Sequence, residues 1–500
     1  MPPVFEAAEI GRKLSKRDYA AREKELRVAL LNAQFDLRET PRSVIVLIAG
    51  DDRPGATAVL NHLHYWMDGR YLETRAFGPP TEAERLRPPF WRYWSALPRR
   101  GRVGVLSGSW ALSPLAQRLE GHMDSNAFEH WVDRVNALER ALAADGAVFA
   151  KLWIHLPKDE HAKRLAKAKK GRGAVFRIDE NDWKICDHYD DLIPLAEELV
   201  EETTTPDAPW NVIEATDTRH RNVACAEVVL HAMEKAIADY LDGPGTNGEP
   251  GPPPEAPTGP TVLDGVDLTT AIESDAYKEA LPRLQRRLFD LSERAQRKGL
   301  RTVLVFEGWD AADGPALARR VTHALDARDV RIVPMSAPTD EENDYHYLWR
   351  FWRHVPRAGQ MVIFDRSWYG RVLVERVEGF ASEAEWQRAY PEINEFERQL
   401  VEADTLLLKF WLHIDPDEQL RRFRKREKTP YKKHKITDED YRNRSRWGAY
   451  VAAVHDMVER TSTHQAPWHL IPANDKRHAR IQVLETLCGG LKRALKGRGD

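Results

Sequence analysis

Cysteine is scarce in this 500-residue chain, and long apolar runs are missing. The three cysteines, Cys186, Cys225 and Cys488, show no C-x-x-C spacing, which argues against a disulfide framework or a zinc site and favours a reducing compartment. No apolar stretch approaches the ~20 residues of a membrane span, and the N-terminus lacks the apolar core of a signal peptide. These absences predict a cytoplasmic protein that does not act at a membrane.

An excess of charge of one sign is also missing. The chain has 75 Lys and Arg against 78 Asp and Glu, a net charge of −3, so no overall field selects nucleic acid as a partner. Any anion-binding site must therefore be local. With 31% charged and 42% hydrophobic residues, the composition is that of a globular protein, and 500 residues allow two or more domains.

What the sequence does contain is an internal repeat at a constant spacing. The segment W-R-Y-W at 91–94 recurs 258 positions later as W-R-F-W at 349–352. The same shift carries K-L-W-I-H at 151–155 onto K-F-W-L-H at 409–413, and A-P-W at 208–210 onto A-P-W at 466–468. The chain therefore consists of two copies of one domain in tandem.

A segment rich in proline and glycine joins the two copies. Residues 242–261 hold twelve Pro or Gly in twenty positions, a composition that does not pack as helix or sheet and forms an extended linker. We therefore expect a first domain at 1–241 and a second at 262–500.

Apolar strands alternate with amphipathic helices in both copies. This alternation predicts an α/β fold in which each copy is a parallel, doubly wound sheet flanked by helices, with ligands at the carboxyl ends of the strands. Helices are expected at 277–298 and 438–460. The predicted strands are 42–49, 102–106, 147–155 and 210–215 in the first copy, and 301–307, 330–335, 360–365, 405–414 and 468–472 in the second.

The strand at 301–307 runs into a loop and then a helical pattern, which is the arrangement of a phosphate-binding P-loop. A P-loop reads G-x-x-x-x-G-K-[ST], in which backbone amides hold the phosphates and the lysine reaches the transferred group. Counted from Gly308, the second glycine falls at Asp313 and the lysine at Gly314, so neither is present. Pro315 removes one further amide. The predicted loop is a degenerate P-loop.

Two acids near this loop are candidate catalytic and metal-binding residues. Asp365 ends the apolar strand at 360–365, where phosphoryl-transfer enzymes hold magnesium, and Asp310 lies inside the loop. Together they suit holding a metal or orienting the attacking phosphate oxygen. The alternative role for Asp365 is to cap the next helix.

A dense basic run follows later in the second copy. Residues 421–446 hold twelve basic residues against four acidic ones, a local charge of +8. A solvated helix face usually intersperses both signs, so the run favours a lid that binds a polyanion, with the solvated face as the alternative. Lys428-Thr429-Pro430 breaks the helix, which suits a movable flap.

Several segments together resemble the polyphosphate kinase 2 family, and the tandem arrangement resembles its two-domain polyphosphate:AMP phosphotransferases. They are E-G-W-D-A-A at 307–312, A-P-T-D-E-E-N-D-Y-H-Y-L-W-R-F-W-R at 337–353, V-I-F-D-R-S-W-Y-G-R at 362–371, V-E-G-F at 377–380, K-F-W-L-H-I-D at 409–415, R-T-S-T-H-Q-A-P-W at 460–468 and A-N-D-K-R at 473–477.

The resemblance implies tandem P-loop kinase domains, each with a helical lid, Mg²⁺ as cofactor, and transfer of the terminal phosphoryl group of inorganic polyphosphate to AMP to give ADP. It places the chemistry in the second copy, where Asp310 would position the transferred group and Asp365 would hold Mg²⁺. It leaves homo-oligomerisation open. Arg366 would be the third catalytic residue and would bind phosphate. The other phosphate-binding residues that the resemblance implies are Gly308, Arg371, Arg426, Lys428, Lys432, Lys433 and Lys435.

The first copy departs further from the family pattern. At the same shift of 258 residues, Ser107 stands in place of Asp365 and Ala56 occupies the lysine position, while only Gly50 and Asp52 survive. We therefore expect the first copy to be a degenerate scaffold.

The missing lysine leaves three functions open. Removal of one preorganised charge-stabilising group typically costs about 100- to 1000-fold in rate, so one expectation is a phosphotransferase of reduced rate. The alternative is a catalytically inactive family member that binds polyphosphate or nucleotide in a regulatory or scaffolding role. A third is another nucleotide kinase that uses ATP as donor, because P-loop kinases share this layout.

Overall fold

The structure, a computed structural model, describes residues 3–169, 187–242, 251–429 and 436–496. The chain forms two compact units. The first comprises Met1–Pro80, Arg92–Thr246 and Asp340–His346, and the second comprises Thr81–Trp91, Asn247–Thr339 and Tyr347–Asp500. The units thus follow the two sequence copies apart from two short segments. The domain boundaries at 241 and 262 stay a prediction, and residues 243–250 of the predicted linker lie outside the described residues.

Each unit is built on a five-stranded parallel sheet. The first contains β1 (Ser43–Gly50), β2 (Leu72–Ala76), β3 (Val103–Ser107), β4 (Ala147–His155) and β5 (Trp210–Glu214), in the order β2-β3-β1-β4-β5. The second contains β6 (Arg301–Gly308), β7 (Val330–Pro334), β8 (Met361–Asp365), β9 (Thr405–His413) and β10 (Trp468–Pro472), in the order β7-β8-β6-β9-β10. The two orders are equivalent strand for strand, which confirms the predicted duplication and fold class.

Helices connect the strands of both sheets. In the first half of the chain they are Val4–Ala8, Lys16–Arg38, Arg53–Trp66, Glu82–Arg85, Trp91–Trp94, Leu112–Leu119, Ser125–Ala144, Lys158–Lys169, Tyr189–Glu202 and Thr218–Leu241. In the second half they are Ser274–Arg297, Gly314–Thr322, Asp340–Asn343, Trp349–Trp352, Val374–Glu378, Glu383–Glu402, Pro416–Glu427, Asp438–Ser445, Trp447–Thr461 and Lys476–Lys496. Short 3₁₀ turns lie at Gly69–Tyr71 and Trp368–Val372.

Two local predictions differ from the structure. The single helix expected at 438–460 is wrong: it is two helices that meet at Arg446, whose backbone leaves the helical region at φ −100° and ψ 23°. Arg446 donates to the carbonyl of Val377 and pairs with Glu378, so contacts outside the helix fix the bend. Strand β2 had no predicted counterpart, because L-E-T-R-A is largely exposed and carries no apolar run.

The central strand β6 ends where strand order reverses, because the chain continues to one side of it through β7 and β8 and to the other through β9 and β10. Ligands of α/β folds bind at this position. Gly308, the last residue of β6, lies opposite Leu412 on β9, and a Cβ on it would be 2.8 Å from the Leu412 carbonyl oxygen. Glycine is therefore required for the two strands to stay paired up to the loop.

Candidate active site

The loop after β6 contains two residues with left-handed backbone conformations, Ala311 at φ 66° and Asp313 at φ 93°. Residues other than glycine rarely adopt this conformation, so the loop has a glycine-favouring shape at the position where the P-loop pattern places its second glycine. Arg422 supports the loop from the helix Pro416–Glu427, because its Nη1 donates to the Ala311 carbonyl oxygen over 3.0 Å.

Asp310 lies at the centre of the site between two donors. Asn443 Nδ2 donates to Asp310 Oδ2 over 3.0 Å, and Arg366 Nη2 lies 3.4 Å from Asp310 Oδ1. Burial raises the pKa of Asp310, with Asn443 and Arg366 opposing the shift and Asp440 and Glu439 adding to it. Its ionised form therefore gains from any cation that enters the site.

Asp365 ends β8 and faces the beginning of the helix Gly314–Thr322. A Cβ on Gly314 would lie 3.3 Å from Asp365 Oδ1, so this carboxylate is beside the position at which a P-loop carries its lysine. Burial raises the pKa of Asp365, and Arg366 and Arg319 oppose that shift. The residue that caps the following turn is Ser367, whose Oγ accepts from the backbone amide of Tyr369.

Arg366 connects the acids of the site. Burial opposes its charge, but Asp310, Glu307, Glu439 and Asp365 more than offset that effect and raise its pKa. Its side chain is nevertheless 59% exposed. The guanidinium thus extends from a group of carboxylates towards solvent, where an incoming phosphate is accessible to it.

Glu307 is a further acid beside this site, and the sequence pattern did not predict it as a site residue. Ser367 Oγ donates to Glu307 Oε1 over 2.7 Å inside the protein. Burial raises the pKa of Glu307 to about 7, with Ser367 and Arg366 opposing the shift and Asp365 adding to it. The signal in the sequence was a single acid in an otherwise apolar strand, directly before Gly308.

The other predicted phosphate-binding residues are placed differently. Arg371 pairs with Glu375 at 3.0 Å and with Glu385 at 3.3 Å, so two carboxylates already compensate its charge. Burial lowers the pKa of Lys476, and Arg426 lies close enough to add to that shift. Lys428 is exposed and ends the helix Pro416–Glu427. The remaining three, Lys432, Lys433 and Lys435, lie outside the described residues.

Part of the predicted basic lid is paired within the protein. Arg422 pairs with Glu418, and Arg442 and Arg446 pair with Glu378 at 2.9 and 3.2 Å. Neither glutamate belongs to the run itself, so a count of charges along the sequence does not include them. The formal charge of +8 therefore overstates the positive charge that remains for a ligand.

Two further cations lie at the loop. Lys476 Nζ is 3.3 Å and Arg480 Nη2 is 3.2 Å from Asp313 Oδ2. Both belong to the first turns of the helix Lys476–Lys496, in or next to the A-N-D-K-R segment. The acid that replaces a P-loop glycine thus holds two positive charges at the loop.

A buried ion pair supports the turn after β8. Lys409 Nζ on β9 is 2.7 Å from Glu397 Oε2, and both it and Glu397 bond to the hydroxyl of Tyr369. The first unit has the same pair, formed by Lys151 and Glu139 at 2.7 Å. Removal of one partner of such a pair typically costs about 3 to 5 kcal/mol, because an uncompensated charge stays buried. The pair thus fixes the turn that begins at the end of β8.

The donor set suits a metal that arrives with phosphate. Within the part of the chain that the structure describes, no group of three or more His, Cys, Asp or Glu side chains is arranged to hold a metal ion. Mg²⁺ is commonly bound by one or two carboxylates together with water and substrate phosphates. Asp310 and Asp365, two desolvated carboxylates that both interact with Arg366, fit that mode.

In the first unit, the acid equivalent to Asp310 already has hydrogen-bonding partners within the protein. Asp52, the equivalent of Asp310, is 1% exposed and accepts from the amide of Gly55 over 3.0 Å, which caps the helix Arg53–Trp66. It also pairs with Arg164. This carboxylate is therefore buried and already has a partner on each of its two oxygens.

The N-terminal segment covers the same end of the first sheet. Phe5 is 1% exposed and stacks on Trp153 and His155, with ring centroids 5.4 and 4.9 Å apart. His155 lies between Asp51 and Glu9, at 3.0 and 2.9 Å. The chain itself thus fills the place at the strand ends where a ligand is expected.

The model of one protein family, described as polyphosphate kinase 2, matches both copies, at residues 13–240 and 271–498. The chain belongs to the polyphosphate kinase 2 family. Kinases of this family generally depend on a divalent metal. None of the helices in the described ranges is long and apolar enough to cross a membrane.

Full-length members of the polyphosphate kinase 2 family are similar to this chain. A polyphosphate:AMP phosphotransferase of Pseudomonas aeruginosa is 43% identical over 494 residues, which is 99% of each chain. Another of Acinetobacter johnsonii is 35% identical and covers 94% of this chain and 96% of its own. A crystal structure described as polyphosphate kinase 2 from Pseudomonas aeruginosa PA01 matches with a TM-score of 0.88 at 43% identity, over 98% of this chain and 99% of that one.

Proposed function

We propose that this protein is a polyphosphate:AMP phosphotransferase, which transfers a phosphoryl group from inorganic polyphosphate to AMP and forms ADP. The observation that carries the proposal is the convergence of Asp310, Asp365 and Arg366 at the carboxyl end of the central strand β6. The relatives named for this reaction support it, because they match the chain from end to end.

In this reaction an oxygen of the AMP phosphate bonds to the terminal phosphorus of polyphosphate, and the bridging P–O bond breaks. The shortened polyphosphate keeps the bridging oxygen and the electron pair of that bond. Arg366 binds the phosphate oxygens, since it faces solvent from among the acids. Asp310 positions the transferred group. Mg²⁺, held by Asp310 and Asp365, would neutralise charge on the phosphate oxygens.

The chemistry belongs to the second unit, and the first unit is a scaffold. Asp52 caps a helix, pairs with Arg164 and is 1% exposed, whereas the side chain of Asp310 is 18% exposed, so Asp52 is less accessible to a substrate than Asp310. Phe5 and Glu9 lie against His155, where a ligand of the first sheet is expected. A cytoplasmic location and homo-oligomerisation stay predictions.

The alternative of a family member that binds without turnover is favoured by one feature, the Asp313-Gly314-Pro315 segment in place of the second glycine and the lysine. The test is ADP formation by the purified full chain with polyphosphate, AMP and Mg²⁺. We expect turnover that Asp365→Asn abolishes and that Asp275→Asn, a change at a 94% exposed side chain, leaves intact. No ADP above background contradicts the proposal, and turnover that requires ATP in place of polyphosphate favours a nucleotide kinase instead.

A further inference from the structure

The loop of the second unit has an unfilled position next to its acids. Gly314 begins the helix Gly314–Thr322 and lies against Asp365 Oδ1, yet it carries no side chain. A phosphoryl-transfer site of this type uses a lysine there to meet the charge of the transferred group. If the proposed function is correct, another cation has to meet that charge.

Lys476 lies at the neighbouring loop residue. Its Nζ is 3.3 Å from Asp313 Oδ2, and its helix begins directly after Asp475, whose Oδ1 accepts from the amides of Arg477 and His478. This cap fixes where the helix begins and therefore where the Lys476 side chain leaves the backbone. The ammonium thus reaches the loop from a rigid element.

Lys476 is better placed to meet a ligand than the arginines around it. Arg422 is 4% exposed, and its guanidinium donates to the carbonyl oxygens of Ala311, Ala473 and Asn474. The Arg480 side chain is 18% exposed, whereas that of Lys476 is 39% exposed. A flexible ammonium at the surface is able to leave a carboxylate for a phosphate oxygen with little rearrangement.

Positive charge is crowded at this position. Burial lowers the pKa of Lys476, Asp313 opposes that shift, and Arg422 and Arg426 add to it. Asp313 also contacts Arg480, so one carboxylate faces several cations. Such an excess of positive charge favours an anion with several oxygens, which is the chemistry of a polyphosphate chain.

We propose that Lys476 supplies the phosphate-binding charge that Gly314 lacks, with Asp313 holding it at the loop until polyphosphate replaces that carboxylate. This inference rests on the proposed function and deepens it, because it adds a substrate-binding residue from the C-terminal helix. Asp313 then has two effects: it keeps Lys476 in place, and it competes with the substrate for the ammonium.

The first test is Lys476→Met in the full chain. We expect the rate of ADP formation at low polyphosphate to fall about 100-fold, while Lys492→Met, at an exposed position of the same helix, leaves it unchanged. Lys476→Arg keeps the charge and should recover part of the rate. A Lys476→Met rate within twofold of the native rate overturns the inference.

A loss of rate through misfolding is separated from a loss of charge by repairing the loop. In the background Asp313→Gly with Gly314→Lys, a lysine again occupies the P-loop position, so Lys476→Met should change the rate less than about threefold. An equally large loss in the repaired background shows a structural role for Lys476 and overturns the inference.

Binding separates failure of this inference from failure of the proposed function. Calorimetric titration with inorganic tripolyphosphate requires no turnover, and Lys476→Met should weaken the Kd at least tenfold relative to Lys492→Met. If the native protein makes no ADP, the proposed reaction fails, yet weaker tripolyphosphate binding in Lys476→Met still supports the role of Lys476. Unchanged tripolyphosphate binding overturns it in either case.

Discussion

Asn443 Nδ2 donates a hydrogen bond of 3.0 Å to Asp310 Oδ2, which ties the helix Asp438–Ser445 to the acid at the centre of the site. This helix belongs to the basic run that the sequence predicts to be a lid. The contact that joins this helix to the loop is therefore a hydrogen bond from a neutral amide to a carboxylate. It is not a contact of the kind that a lid would make between a cation and phosphate. We therefore expect the helix to have a second role, which is to orient the acid on which the proposed chemistry depends.

Asn443→Ala should lower the rate about tenfold and shift the pH dependence. Asn443 opposes the rise in the pKa of Asp310, so its removal raises that pKa further. In the proposed mechanism Asp310 acts as the ionised form, and activity is lost as pH falls through its pKa, so the acid limb of the pH–rate profile should move to higher pH. Asn394→Ala, which removes a donor to the Arg460 carbonyl, is the matched control. An unmoved acid limb contradicts the role of Asn443.

Restoring the P-loop residues should raise the rate. Asp313→Gly with Gly314→Lys places an ammonium beside Asp365 and removes a carboxylate from the path of the anionic substrate. We expect roughly a 10- to 100-fold gain in the rate of ADP formation, because the restored lysine is preorganised for charge that develops in the transition state, whereas Lys476 has to leave Asp313 first. Kinetics of the double variant beside the native protein measure the gain. An unchanged rate shows that the loop is not what limits turnover.

Glu307→Gln should stabilise the protein at neutral and alkaline pH. Burial raises the pKa of Glu307 to about 7, so the folded state favours the neutral form of this side chain. The stability that Glu307 contributes is therefore full below about pH 4.5 and is lost as pH rises to 7. Glutamine stays neutral and avoids the loss, which we put at roughly 1 to 3 kcal/mol at pH 8.

The measurement is the difference in Tm between Glu307→Gln and the native protein across this range. The difference should grow in favour of the variant from pH 4.5 to 8, while exposed Glu279→Gln shows no such trend. A difference that is the same at both ends of the range contradicts a buried, neutral Glu307.

The stability of the first unit should depend on pH because of His155. Burial opposes its charge, but Asp51 and Glu9 outweigh that effect and raise its pKa. The stabilisation is therefore complete below about pH 6.5 and is lost as pH rises through the pKa of the folded state. The free energy of unfolding, measured by Trp fluorescence during urea unfolding, should decrease over this pH range in the native protein and not in His155→Gln. His231→Gln, a change at an exposed position, is the control and should keep the pH dependence of the native protein. A His155→Gln variant that also keeps this pH dependence contradicts the role of His155.

Much of the site was predictable because its residues follow from topology. Apolar runs located β6 and β8, and the ends of neighbouring parallel strands meet, so Asp310 and Asp365 had to lie near one another. Strands β4 and β10 match their predicted ranges to the residue. The pattern of apolar and polar residues carries this information, because burial within a parallel sheet demands it.

The partners of the site's charges were not predictable in the same way. Lys476 meets Asp313 across more than 150 positions of sequence, and Glu378 meets Arg442 from outside the basic run. Such pairs depend on how helices pack on the sheet, which no periodicity records. The sequence therefore predicted where charge accumulates but not how much of it is already compensated.

The duplication offers the most direct test of the central claim, that the second unit transfers phosphoryl groups from polyphosphate to AMP while the first does not. Asp310 and Asp52 are equivalent positions in the two copies. Asp52 caps the helix Arg53–Trp66, and asparagine caps helices as well as aspartate does. Asp310 accepts a hydrogen bond from Asn443 that an asparagine oxygen also accepts, so both Asp→Asn variants should fold. The measurement is the rate of ADP formation from polyphosphate and AMP. The account predicts that Asp310→Asn loses at least about 100-fold and that Asp52→Asn stays within threefold of the native rate; an undiminished rate in Asp310→Asn, or an equal loss in both, contradicts it.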